Sequence, residues 1–220
     1  CRFVYNYFLD LRSKEYKENR RSVSGLECKR MLVPLKKTNE WLKEINSQSL
    51  QEAVLNLEKA YQRFFKGLGK YPVFKKKRNH QSFTVPQHFS IDGNLFYIAK
   101  LKTGIQIKLH RPIDGIPSSL TISRTPSGKY YVSFSCETLM PEVKNKPAAT
   151  MGIDLGLTSF IATSNKEKVD HPACLRKSEK KLARLQRSLS KKKNGSNNKN
   201  KQRLKVAVLH EKVSNQRHDF

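Results

Sequence analysis

The chain has 220 residues, 37% of them hydrophobic, with 44 Lys plus Arg against 18 Asp plus Glu, a net charge of +26 and a pI ≈ 10.1. That length allows two or three modules with cores of their own, and the hydrophobic fraction is lean but too high for disorder. So large a positive surplus repels itself unless a polyanion screens it, which points to nucleic acid; no apolar run approaches a membrane span and no basic helix carries apolar anchors, which excludes a membrane partner.

Residues 1–66 read as helices. Phe3, Val4, Tyr7, Phe8 and Leu11 recur at helical spacing, as do Leu50, Ala53, Val54, Leu57, Ala60, Tyr61, Phe64 and Phe65 behind a capping box in which Ser49 faces Glu52. Leu32 and Leu35 suggest one short helix between them, and Trp41, Leu42 and Ile45 another. These aromatic stripes are expected to be core rather than base-stacking platforms.

Gly67, Gly69 and Pro72 then break the pattern in "KGLGKYPVFKKKRNH", a stretch with six Lys or Arg and no acid. Lys75, Lys76, Lys77 and Arg78, following Tyr71 and Phe74, are candidates for phosphate binding, against the plainer reading of a solvated charge run. From about 83 to 137 the apolar period drops to two: Ile105, Ile107 and Leu109 alternate with polar residues, as do Tyr130, Val132, Phe134 and Cys136. With turn chemistry in "IDGN" at 91–94 and "TPSGK" at 125–129, this predicts an antiparallel sheet or small barrel. Pro141 and Pro147 mark a linker behind it.

"TMGIDLG" reads as a buried strand ending at a turn, with "LTSFIATS" returning. Asp154 sits there in an apolar run, where a desolvated carboxylate needs a cation or hydrogen-bond donors. Three readings stay open on these residues: a metal-binding acid for phosphodiester hydrolysis, the phosphate turn of an actin-like or sugar-kinase-like ATPase, and a plain hairpin. Context weighs against the ATPase, which begins with such a hairpin and needs several hundred residues after it; only 66 follow Asp154. Those residues are strongly basic, with 17 Lys or Arg and 5 acids from Lys166 onward. Leu175, Leu182, Leu185 and Leu189 form the seam of one long helix. A loop carrying Lys191, Lys192 and Lys193 interrupts, and Leu204, Ala207, Val208 and Glu211 continue in a second helix.

Cys1, Cys28, Cys136 and Cys174 lack the spacing of a zinc knuckle or a disulfide framework and read as reduced thiols of a cytoplasmic protein. The chain opens on Cys1 and stops at Phe220 inside a helical pattern, so both ends are expected to be cut.

Taken together, "CRFVYNYFL", "YPVFKKKR", "GIDLGLTSFIATS" and the long basic stretch from "LARLQRSLSKKKNG" onward resemble the TnpB/OrfB-type insertion-sequence proteins. These are transposase-family RNA-guided DNA endonucleases related to type V CRISPR effectors. The resemblance spans nearly the whole chain and implies an α+β fold in three parts. These are a helical recognition module (1–66), a basic linker with an oligonucleotide-binding-like β-barrel (67–146), and a partial RuvC-type, RNase H-like nuclease domain with basic helices (147–220).

The resemblance further implies DNA and guide RNA as partners and magnesium-dependent DNA hydrolysis by the intact protein, with Asp154 as the first of three catalytic, metal-binding acids. The other two acids and the family's CxxC zinc ribbon would lie beyond Phe220, so zinc is not expected. The family's short first strand, ahead of the opening helix, is missing. Glu167, Asp170, Glu179, Glu211 and Asp219 match no family motif that would replace the missing acids. The expectation is a chain that binds nucleic acid but does not cut it alone; the alternative is a purely non-catalytic binding module.

Overall fold

The computed structural model describes residues 1–78, 80–139 and 150–219. The fold is α+β. Two compact units are resolved, Cys1–Thr125 with Tyr130–Leu139, and Pro126–Lys129 with Met140–Phe220. The expected linker prolines Pro141 and Pro147 lie outside the described residues.

In the first unit, α1 (Arg2–Asn19), α2 (Gly25–Thr38) and α3 (Ser47–Phe65) enclose a core, with a 3-10 turn at Glu40–Lys43 before α3. The core stripe of α1 is Val4, Tyr5, Phe8, Leu9 and Arg12, which meets Cys28, Leu32 and Leu35 of α2 and Leu50, Val54 and Leu57 of α3. Phe3 and Tyr7, expected inside, are 39% and 40% exposed, because the buried arc of α1 is centred one residue further along than the aromatic spacing suggests.

Helix α3 is capped by Asn46, whose Oδ1 accepts from the backbone N–H groups of Gln48 and Ser49. The expected Ser49–Glu52 box is therefore wrong: Ser49 lies inside the helix, 1% exposed, with no partner for its Oγ among the described residues. The real capping box is at α2, where Ser24 Oγ accepts from Glu27 N–H and Glu27 takes the Ser24 N–H in return. Gly25 follows it at a close approach, since a Cβ there would stand 3.0 Å from the Glu58 side chain of α3.

The strands form two antiparallel sheets. One has the order β1 (Gln81–Val85), β5 (Ile116–Arg124), β6 (Tyr130–Glu137); the other joins β2 (Phe89–Asp92), β3 (Leu95–Ile98) and β4 (Ile105–Gln106). Gly93, at φ 53, makes the two-residue turn between β2 and β3 within the predicted "IDGN". Strand β6 keeps the expected alternation at Val132, Phe134 and Cys136, which are half-buried, but not at Tyr130, which is 68% exposed at the strand's start.

The barrel does not close among the described residues. Of the Ile105–Leu109 alternation, Ile105–Gln106 pairs as strand and Ile107 N–H still donates to the Asn94 carbonyl at 2.8 Å, beyond which no further pairing is seen among the described residues. The apolar faces are buried by packing instead, with Val85 and Leu120 of one sheet in a cluster with Phe96 and Ile98 of the other.

In the second unit, β7 (Ile153–Asp154), β8 (Ser159–Thr163) and β9 (Lys168–Asp170) make a third antiparallel sheet, followed by α4 (Cys174–Ser190) and α5 (Asn197–Asp219). Gln202 of α5 donates to the Leu185 carbonyl at 3.1 Å, a pairing symmetric about the 191–196 loop that makes the two helices an antiparallel hairpin. Ser196 starts α5 by accepting from Lys199 N–H. Buried positions on α5 are Gln202, Leu209 and Val213, whereas Leu204 and Val208 are each 46% exposed. The seam is thus offset from the predicted one, since a polar Gln stands in it.

Candidate nucleic-acid interface and acidic hairpin

Asp154 is the last residue of β7 and pairs in register with Ala162, so the acid sits where a β-hairpin begins its turn. Gly152 exchanges contacts with Ser164, donating to its Oγ at 3.2 Å and accepting from its N–H at 2.9 Å, which extends the ladder one step before β7. Gly156 falls in the turn, where a Cβ would lie 3.1 Å from the Ser159 carbonyl. The expected burial is absent: both residues of β7 are exposed, Ile153 at 58%, and Leu155 just after it is 72% exposed. A two-residue edge strand shields little of itself, and the half-buried strand of this sheet is its centre, β8.

The basic candidates fall in two places. Lys75, Lys76, Lys77 and Arg78 belong to the first unit, on the irregular strap that leaves α3 for β1. Its first cation is tied down. Asn6 of α1 donates to the Lys75 carbonyl at 3.0 Å and accepts the Lys75 N–H at 2.8 Å, while the ammonium stands 4.2 Å from the Tyr5 ring centroid. Partial burial there pushes the Lys75 ammonium below its ordinary pKa. As a whole residue Lys75 is nonetheless exposed, like Lys76, Lys77 and Arg78.

The strap is clasped again at Tyr71, whose hydroxyl lies 2.9 Å from Ser13 Oγ and 3.1 Å from Tyr61 Oη. Burial, then the Tyr71 hydrogen bond, pushes the Tyr61 phenol up to about 12. Under this clasp Arg12 reaches Glu58 at 2.6 Å with its guanidinium 4.0 Å from the Tyr61 ring centroid, joining α1 to α3. Sequence spacing carries no sign of Asn6, Arg12, Glu58 or Tyr71 in these roles, since the Arg12–Glu58, Ser13–Tyr71 and Asn6–Lys75 partners stand 46, 58 and 69 positions apart.

Lys191, Lys192 and Lys193 belong to the second unit, at the tip of the α4–α5 hairpin; Lys191 and Lys193 are exposed and Lys192 half-buried. Between 174 and 219 there are 15 Lys or Arg and 3 acids, and only Lys192 and Lys199 of those cations are not exposed. Like charges at this density on two packed helices repel unless counter-charge screens them.

The described residues do not make a complete metal site. No three His, Cys, Asp or Glu side chains among them converge on a place that could hold a metal ion.

Comparison with known proteins gives three matches. Residues 133–220 fit the OrfB_IS605 family, described as "Probable transposase". Over its whole length the chain is 33% identical to a "Putative RNA-guided DNA endonuclease" of Streptomyces pristinaespiralis, covering 56% of that relative. It is also 32% identical to "Putative RNA-guided DNA endonuclease InsQ" of Escherichia coli (strain K12), covering 55% of it. The chain thus spans about half the length of the curated relatives it matches.

Proposed function

The chain belongs to the TnpB/OrfB family of IS605-type insertion sequences, and from that premise we propose that it is the nucleic-acid-binding portion of an RNA-guided DNA endonuclease. The observation that carries the reading is the α4–α5 hairpin, whose 15 cations against 3 acids are nearly all held in solvent. Guide RNA and DNA are the polyanions this surface fits, through their phosphates rather than their base sequence. The exposed cations Lys75, Lys76, Lys77 and Arg78 add a second strip, and the Lys191–Lys193 tip extends the first. The three-part organisation, with a helical recognition module, an oligonucleotide-binding-like module and a RuvC-like unit starting near 147, belongs to the same proposal.

Asp154 is the acid assigned to the catalytic centre of the intact protein. Its hairpin supports that role by holding the carboxylate at a strand end, outside the apolar interior. A divalent ion there, magnesium by the hardness of an all-oxygen ligand set, would supply water activation and charge neutralisation. Asp154 alone holds such an ion weakly, so no hydrolytic step is assigned to these 220 residues, which bind without cutting.

Two measurements test this. Fluorescence anisotropy with single-stranded RNA and with DNA should show affinity falling steeply with salt, each neutralised phosphate contributing a log–log slope of roughly −0.7 to −0.9. A salt-independent affinity rejects the binding reading. Incubation with magnesium or manganese should leave DNA intact, with or without cognate RNA; cleavage abolished by Asp154→Ala would show that the chain holds a working set of acids.

A further inference from the structure

The first unit carries a cavity of about 980 Å³ that the phosphate-binding reading does not use. Its wall includes Phe3 and Tyr7 of α1 and Trp41 of the 3-10 turn, between 39% and 48% exposed. The Phe3 and Trp41 rings meet edge to face, 5.2 Å apart at 69°, and Tyr7 stacks along Phe3 at 6.1 Å and 27°. Three adjoining aromatic rings left facing solvent forgo burial that the core beside them has taken from Val4, Tyr5 and Phe8. They expose π-faces in a concave site of a size that takes a small organic group and excludes a double helix.

Charge selects the occupant. Arg2, Lys100 and Arg124 line the same cavity, against one acid, Glu44. An apolar peptide or a second copy of this +26 chain gains nothing from those cations, whereas a nucleotide offers a flat base to the rings and a phosphate to the rim. In a duplex the bases are already stacked and paired, so a free face is available only from an unpaired nucleotide.

We propose that this cleft stacks one or two unpaired bases of a single-stranded segment on Phe3, Tyr7 and Trp41, with the phosphates toward Arg2, Lys100 and Arg124. The inference rests on the reading that the chain binds nucleic acid and adds a site that recognises bases. It differs from Lys75–Arg78 and Lys191–Lys193 in needing the base itself.

Trp41 is the one tryptophan of the chain, so its emission reports on this cleft alone. The full chain is titrated with a labelled thymidine homopolymer, with an abasic strand of equal length and charge, and with a duplex, while label anisotropy records total binding. The thymidine strand should quench Trp41; the abasic strand and the duplex should bind and leave the emission unchanged. Tyr7→Ala, a change at an exposed position, should weaken the thymidine strand about 5- to 150-fold and leave the abasic strand unaltered.

Binding by anisotropy with no Trp41 response to any strand overturns the cleft proposal and leaves the binding reading standing. Equal quenching by the thymidine and abasic strands overturns it too, as does equal quenching by the duplex. Absence of binding to every strand removes the functional reading and this inference with it. The Trp41 signal of the unaltered chain decides between these outcomes even if Tyr7→Ala fails to fold.

Discussion

The helices of the first unit and the β7–α5 region of the second bury their residues to very different degrees. In the first, Phe8, Leu9, Leu42, Leu50 and Leu57 are at 0–1% exposure around one core; in the second, only Gln202, Leu209 and Val213 are buried among the described residues. Apolar area removed from water is the main favourable term of folding, at roughly 25 cal/mol per Å². The first unit therefore carries its stability in its own packing. The second exposes Ile153, Leu155 and Leu157 beside a dense positive field, so it has both less to hold it and more to push it apart.

Truncating the two cores should separate them most sharply. Phe8→Ala is expected to cost about 3–5 kcal/mol, enough to unfold the helical core in a thermal melt followed by circular dichroism. Arg12→Met comes next, at about 2 kcal/mol. It leaves the Glu58 carboxylate without its partner, though Glu58 is 27% exposed and recovers part of its hydration.

Leu185→Ala, on the half-buried seam of α4, should cost only about 1 kcal/mol. A Leu185→Ala loss equal to that of Phe8→Ala would erase the contrast between the units. Two serines sharpen it further. Ser24→Ala removes a working N-cap and should cost about 1 kcal/mol, whereas Ser49→Ala removes a buried hydroxyl with no partner among the described residues and should be neutral or stabilise by about 0.5 kcal/mol. The smallest effect is expected at Asp154→Ala, within about 0.5 kcal/mol in the melt, because the carboxylate is exposed on an edge strand.

The helices, the β2–β3 turn, strand β6 and the Asp154 hairpin were all legible in the chain, because each is written in residues within ten or so of one another. What misled was choice among equal local signals. Ser24 and Ser49 both stand three residues before a Glu, and only the tertiary position of Asn46 decides that the second serine lies inside a helix. Phe3 and Tyr7 share helical spacing with Val4 and Phe8, and the partners α2 and α3 supply determine which arc faces inward. The open sheets were hidden for the same reason: period-two alternation at Ile105–Leu109 gives the face of a strand, and pairing beyond Ile107 requires a neighbour the spacing cannot name.

The two clasps on the strap between α3 and β1 have a consequence for motion. Tyr71 is held through hydroxyls and Lys75 through the Asn6 amide, so this segment is tied to the helices by side chains rather than by a backbone ladder. Breaking two or three such bonds is a far smaller opening than unfolding the core. In native-state hydrogen exchange the Lys75 amide should behave as a local latch, exchanging well ahead of the amides around Phe8 and Leu57. Opened in that way, the basic segment would move on an intact helical block, which is the freedom the proposed polyanion binding would use.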